Sequence, residues 1–600
     1  METQQLSTHL SLLIGAGNVG VLRDGTRALV IDPGDPGVGA ALAGVTVDTV
    51  LLTHYHRDNM VGLGSPALAD ARLMVPRAEA YLFSDAEAYW ADPASRWHLY
   101  NYRPFFLVPT ASRPVAGTLA DDDSFTWGPA RITVLATPGH TDGSLSYLIE
   151  VDGQRVLFTG DLLSAPGQVW DCYSLQQGGT YGATTIWDYH AYLGARAALF
   201  ASLRRAAEVC PTTLVPTHGL VMPDPAAAVT TTIAAIETAF RAYAATSALQ
   251  HYFPAVMDGV PATVRATTAP PPAWLRHHGT TWVLCSASGA ALVMDCGQPN
   301  VIDQLRDWQS TGDITTVEGI WISHYHDDHV DAVPAFQAAF DCPLYADAAV
   351  AAVIAEPLAW RLPCISPSVC RVDHILPHGT RWQWHEFTLT AYHCPGQTYY
   401  HGALLIEGRG QRIMNIGDSF APTGLDDYCP LNRNPLGAGE GFDACLALLE
   451  EVQPNALFNP HVDDLFTFTP AQIAQLRDAL ARRVATLATL TPWPAPDYAF
   501  DPYWVRCHPY QQQAVAGKAV EIAVVVTNDT DVPQPVACQF TGEGMLATAI
   551  IPPHAEASLP LTVPSLPPGR QVLSVDLTFA GRLLPACAET IIDVCSEAGD

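Results

Sequence analysis

The chain runs to 600 residues, room for three or four domains with buried cores, and its 60 acidic against 30 basic side chains leave a net charge of −30. That excess, with Lys518 the single lysine, opposes a phosphate backbone electrostatically, so nucleic acid is not the expected partner. No apolar run reaches the ~18 residues of a membrane span, Met1-Glu2-Thr3-Gln4-Gln5 lacks a secretion signal's features, and fourteen cysteines without CxxC pairs read as thiols, so a cytoplasmic protein is expected.

Two matching series of motifs follow one another. In the first, an apolar strand at 28–31 ends in Asp32-Pro33-Gly34, and a β-rich run at 49–52 leads into Thr53-His54-Tyr55-His56-Arg57-Asp58-Asn59. An aromatic, Arg-containing stretch at 96–103 precedes Thr137-Pro138-Gly139-His140-Thr141-Asp142-Gly143-Ser144. Next come a strand at 155–158 ending in Thr159-Gly160-Asp161, an insertion with Trp170, Cys172 and Tyr173, and Val215-Pro216-Thr217-His218-Gly219. An Ala-rich helix over 230–243 closes the series, and a Pro- and Thr-rich linker ends at Ala269-Pro270-Pro271-Pro272-Ala273.

The second series opens with a strand at 291–294 and Asp295-Cys296-Gly297. Ser323-His324-Tyr325-His326-Asp327-Asp328-His329 lies 270 residues after its counterpart. Cys394-Pro395-Gly396-Gln397-Thr398, Asn415-Ile416-Gly417-Asp418-Ser419, an insertion with Tyr428 and Cys429, and Phe458-Asn459-Pro460-His461 complete it. His140 to Asp161 and Gln397 to Asp418 are the same 21 residues apart, and Cys172 and Cys429 each fall 11 residues after their aspartate. Repetition at this length means duplicated domains, expected at 1–248 and 249–490, not a solenoid. After a helix around 470–483, Thr491-Pro492-Trp493-Pro494 breaks the pattern. Strands at 520–526, 557–563 and 571–579 then predict an immunoglobulin-like β-sandwich over 500–600, which could serve packing, partner binding or homo-oligomerisation.

A lone histidine is more often a hydrogen-bonded core residue than a ligand. Here four metal-binding side chains crowd into residues 324–329. Alternating His324 and His326 point two imidazoles one way, and Asp328 and His329 can turn toward a second ion. Two such clusters, each with its downstream series, make this a metal-site chain that carries the site twice.

In order and in kind these motifs resemble the metallo-β-lactamase superfamily over residues 10–245 and again 275–475. The resemblance implies an α+β fold, two αββα sandwiches in tandem with metals at one edge between mixed sheets. For copy one it implies His54, His56 and His140 around a first divalent ion, Asp161 as the bridging carboxylate, and Asp58 and His218 at a second ion. Asn59 stands where that second site has a histidine, and an amide oxygen is the poorer ligand. For copy two it implies His324 and His326 at the first ion and Asp328, His329 and His461 at the second, bridged by Asp418. Gln397 replaces the third histidine of the first site, and His401, four residues on, is the expected substitute, with His393 the weaker one. Zinc is the first choice of metal, with iron or manganese as alternatives, at one or two ions per domain.

The family implies a hydrolase. An ion on three protein ligands lowers the pKa of its water toward ~7, and the hydroxide attacks a small-molecule ester, thioester or lactone, oriented by Asp58 or Asp328. The HxHxDH pattern differs from the HxExDH of the family's diiron electron-transfer members. Two other readings stay open: a non-catalytic or regulatory protein with degenerate sites, and a mononuclear iron oxygenase acting on a sulfur compound in copy one. Trp170, Tyr173, Tyr428 and the 96–103 stretch are candidate substrate contacts, with loop or helix-end packing as the ordinary alternative.

Overall fold

Alternate residues of a strand face opposite sides, so a strand apolar at every position must be covered on both faces. Residues 28–31 of the strand Arg27–Ile31 are such a run: Leu29 and Ile31 enter one buried cluster, Ala28 and Val30 another. The computed structural model, which describes residues 1–194, 196–427, 429–542 and 546–596, shows what covers each face. A seven-stranded sheet runs in chain order from Glu2–Gln5 to Gly117–Leu119, antiparallel up to Arg27–Ile31 and parallel from there through Thr46–Leu51. A five-stranded sheet carries Gln154–Phe158 beside Leu145–Val151, with Thr213–Val215 parallel at its edge. Leu29, Ile31 and Leu51 meet Ile132, Tyr147 and Phe158 between the sheets, while Leu148, Leu157 and Leu214 face the helices Arg196–Glu208 and Pro225–Thr246.

Copy two repeats the plan with a six-stranded sheet from Leu275–His278 to His374–Leu376 and a seven-stranded sheet built around Phe387–His393, Gly402–Gly408 and Gln411–Asn415. The sequence places 267–269 in the linker; Thr267–Ala269 is instead an edge strand of copy two, paired with Leu465–Thr467. The helical layers of the two copies are one core. Leu203, Ile236 and Phe240 share a buried cluster with Leu446, Leu476 and Leu480 of helices Gly441–Val452 and Pro470–Leu490. Within it Arg483 and Asp427, both fully buried, form an ion pair. Among the described residues no helix is long and apolar enough to cross a membrane.

The C-terminal residues form an all-β unit of two sheets, three strands centred on Val520–Asn528 and five that include Gly569–Phe579 and Arg582–Cys595. In Ala555–Val563 the alternation is clean: Leu559, Leu561 and Val563 are buried in the core between the sheets and their neighbours are exposed. This unit packs on both copies. Glu589 takes Arg57 Nη2 of copy one at 2.5 Å and also pairs with Arg361 of copy two, while Arg57 Nε donates to Ala586 O at 2.6 Å. One largely buried carboxylate thus contacts both copies from the C-terminal unit, and those two guanidiniums stabilise its charge.

Candidate metal centres

The candidate ligands sit on loops just past strand ends. His54 and His56 follow Thr46–Leu51, Asp161 follows Gln154–Phe158, and His218 follows Thr213–Val215, parallel neighbours whose ends lie together. Before each bridging aspartate the chain turns through a left-handed glycine, Gly160 at φ 57° and Gly417 at φ 45°. A Cβ at Gly160 would lie 2.9 Å from Thr53 Oγ1, and one at Gly417 2.5 Å from His401 Nε2, so the Gly-Asp pair is a packing requirement as well as a turn.

In copy one the His54, His56 and His140 rings form a triangle with centroids 4.7–4.8 Å apart, and one ligand atom of each lies within 4.8 Å of the others. Asp161, only 5% exposed, has imidazoles alone as charge partners: His218 Nδ1 at 2.9 Å, His54 Nε2 at 3.7 Å and His140 Nε2 at 3.8 Å. Burial opposes its charge, yet these rings hold its carboxyl well below the usual range. Burial likewise disfavours a charged His218, but Asp161 and then Asp58 outweigh it and push its pKa up to about 9. Asp58 lies 3.8 Å from His218 Nε2. Two buried carboxylates thus hold one positive charge between them, and a divalent cation fits the same donor set.

Copy two brings two groups together: His324, His326 and Asp418, and beside them Asp328, His329 and His461. Asp418 Oδ2 lies 3.1 Å from His461 Nε2, 3.3 Å from His329 Nε2 and 3.8 Å from His324 Nε2. Asp328 is 3.2 Å from His461 and 3.4 Å from His329. Asp418 Oδ1 is buried without a hydrogen-bond partner, a vacancy in its bonding that a cation between the two groups would fill. The expected substitute ligand is not brought in. His401 stacks on His324 at 4.9 Å, with Ser419 Oγ 3.4 Å from its Nε2, and among the described residues it joins neither ligand group. An antiparallel bridge sets His401 directly across from His324, so the two rings lie on the same face. His393 pairs with Asp347 at 3.1 Å.

Both copies orient their first histidine alike. Thr53 Oγ1 donates to Asp32 Oδ2 at 2.7 Å and lies 3.0 Å from His54 Nδ1; Ser323 Oγ makes the same two contacts with Asp295 and His324. A hydroxyl has one proton, so Nδ1–H must be the donor, which leaves Nε2 as a lone pair facing the centre. The copies differ at the next shell. In copy two His329 Nδ1 meets Asp295 at 3.1 Å; in copy one Thr217 Oγ1 donates to Asp32 at 2.7 Å instead. Thr217 corresponds to Pro460, so the loss of a histidine at Asn59 is matched by a hydroxyl that satisfies the orphaned carboxylate. Asn59 is fully buried with Nδ2 2.7–2.9 Å from both His54 ring nitrogens.

Each site is walled by another module. Trp170 stacks on His218 at 4.3 Å, and a narrow chamber of about 60 Å³ reaches Asp58 and His218 between Tyr173 and Leu583, Leu584, Pro585 and Cys587 of the C-terminal unit. Over copy two, Tyr100 donates to Asp327 at 2.8 Å and His98 meets the same carboxylate at 2.8 Å. His190 lies close enough to His461 and Asp328 that they act on its pKa, which burial above all drives down to about 3. The 96–103 stretch is thus a clamp: Arg96 donates to Pro357 O, Leu358 O and Trp360 O, and Arg103 to His140 O. Tyr428 lies outside the described residues. Sequence reading missed the walls from other modules because their contacts join residues hundreds of positions apart.

The profile of the metallo-beta-lactamase superfamily matches residues 13–218 and 275–422, and the chain belongs to that superfamily. Among similar proteins, hydroxyacylglutathione hydrolase of Aeromonas salmonicida is 27% identical over 152 residues (24% of this chain, 46% of its own length). That of Brucella anthropi is 30% identical over 157 residues (25% and 48%). The beta-lactamase-like protein 2 homolog of Drosophila melanogaster is 24% identical over 217 residues (35% and 60%). The chain spans about half the length of the two hydrolases. Among solved structures, the MIM-2 metallo-beta-lactamase is 21% identical with a TM-score of 0.28, covering 35% of this chain and 84% of that one.

Proposed function

We propose that the chain is a metal-dependent hydrolase of a small-molecule ester, thioester or lactone, with divalent ions, zinc in the first place, in both copies. The observation that carries this is the convergence, twice over, of several imidazoles on one aspartate that has no arginine or lysine partner among the described residues. His54, His56 and His140 would hold one ion in copy one, with Asp161, Asp58 and His218 bordering a weaker second place. His324, His326 and Asp418, and Asp328, His329 and His461, would hold a pair in copy two. When bound, such an ion lowers its water's pKa toward ~7 and polarises the substrate carbonyl. The chain's own groups do the rest. Thr53 and Ser323 keep Nε2 of His54 and His324 turned inward, and Asp58 and Asp328 orient the attacking water.

The relatives named hydroxyacylglutathione hydrolases make acyl thioesters the first class to assay. We read residues 1–248 and 249–490 as the two catalytic-type domains and 500–600 as an immunoglobulin-like sandwich. The unpaired thiols, Cys394 and Cys445 among them with sulfurs 3.3 Å apart, suit a cytoplasmic location. The test is hydrolysis of a thioester, ester and lactone series by metal-replete protein, His56→Ala and His326→Ala. Turnover by the wild type and a loss of at least ~100-fold in one or both variants is expected. Turnover equal in all three proteins would contradict the proposal.

A further inference from the structure

Arg582 opens the strand Arg582–Cys595 at the tip of its hairpin with Gly569–Phe579, and that tip reaches copy one. Its guanidinium lies over Trp170 at 4.7 Å and over Trp493 at 4.6 Å, and Trp170 is the ring stacked on the candidate ligand His218. The other buried guanidiniums have committed partners: Arg57 and Arg361 share Glu589, Arg433 holds Asp501 and Arg483 holds Asp427. Arg582 is half-buried and has no carboxylate partner among the described residues; burial is what lowers its pKa. The two indole faces attract the cation but accept none of its in-plane N–H donors, which among the described residues meet no carboxylate.

The space in front of it is a cleft of about 790 Å³ between copy one and the C-terminal unit. It adjoins the inner chamber that reaches Asp58 and His218, the two sharing Ala16, Trp170, Trp493 and Leu583 as walls. Asp35, the acidic residue of the cleft, is spent on the backbone amides of Ala16 and Gly37. A molecule with its reacting carbonyl in the inner chamber would therefore extend past Trp170 and end against an unpaired guanidinium.

We infer that the hairpin of the C-terminal unit gives copy one an anion-binding subsite on Arg582, so that its substrate is an acyl compound bearing a carboxylate at the end remote from the scissile bond. This rests on the hydrolase reading for the reaction, but not for the binding. Two measurements separate them. Calorimetric titration with glutarate, which cannot be hydrolysed, is expected to show binding to the wild type, at least 10-fold weaker binding to Arg582→Ala, and intermediate binding to Arg582→Lys. Equal binding to all three, or none to the wild type, overturns the subsite. In hydrolysis, a thioester with a distal carboxylate is expected to be preferred at least 10-fold in kcat/KM over its neutral amide analogue, with the preference falling to within about threefold in Arg582→Ala. A preference that persists in Arg582→Ala, or its absence in the wild type, overturns the proposal. Glutarate binding that depends on Arg582 without turnover of any ester would leave the subsite standing and sink the hydrolase reading alone.

Discussion

At the residue scale the two copies differ by a pair of exchanges that make sense only together. Where copy two has His329 on Asp295, copy one has Asn59, and Thr217 takes the vacated place on Asp32. Asn59→His alone puts an imidazole into competition with the Thr217 hydroxyl for one carboxylate. The double change Asn59→His with Thr217→Pro restores copy two's arrangement. Elemental analysis is expected to show about one more ion per chain in the double variant and a smaller gain in the single one; no gain in either would mean that Asn59 is not what weakens the second place. His401 yields the opposite expectation. With the ring stacked on His324 and Ser419 Oγ at 3.4 Å from its Nε2, His401→Ala is expected to keep the metal stoichiometry while lowering stability. Loss of an ion from that variant would show that the ring swings in when metal binds.

At the element scale the residue after each second histidine is an anchor between modules. Arg57 reaches Glu589 of the C-terminal unit, and Asp327, its counterpart, receives His98 and Tyr100 of copy one. The motif loops therefore carry ligands and tie the modules in the same few residues. Burial opposes the Glu589 charge, but Arg57 and Arg361 outweigh it and lower its pKa from 4.5 to about 2. A carboxylate with a depressed folded pKa adds stability that is complete above its unfolded pKa and lost as pH falls through the folded one. Here that is about 3 kcal/mol, disappearing between pH ~4.5 and ~2. Denaturant titrations of the wild type and Glu589→Gln should differ by several kcal/mol at pH 7 and converge toward pH 3; a gap independent of pH would assign the effect to packing. Glu589→Ala, which strands two buried guanidiniums, is expected to cost about 3–5 kcal/mol at pH 7.

At the scale of the whole molecule, neither candidate centre is enclosed by its own copy: the C-terminal hairpin walls copy one, and copy one's 98–100 and 189–190 segments overlie copy two. What the sequence made legible was local. Strand ends, Gly-Asp turns and the His-x-His pairs follow from short-range spacing, while the order of the separated motifs, through the family resemblance, pointed to the groups that His140, Asp418 and His461 complete. What it hid was long-range: Thr267–Ala269 reads as linker until Leu465–Thr467 lies beside it, and Arg582 has no local signal linking it to Trp170. His401 lies beside the copy-two groups, paired across strands with His324 and stacked on its ring, and its place as a ligand stays an expectation for the metal analysis of His401→Ala to decide. We propose that both copies are metal centres, of unequal capacity. Metal content per chain, measured by elemental analysis after reconstitution and dialysis, tests it most directly. Three ions are predicted, with His56→Ala losing the one in copy one and His326→Ala losing from copy two. Essentially no retained metal, or a count insensitive to both substitutions, would contradict it.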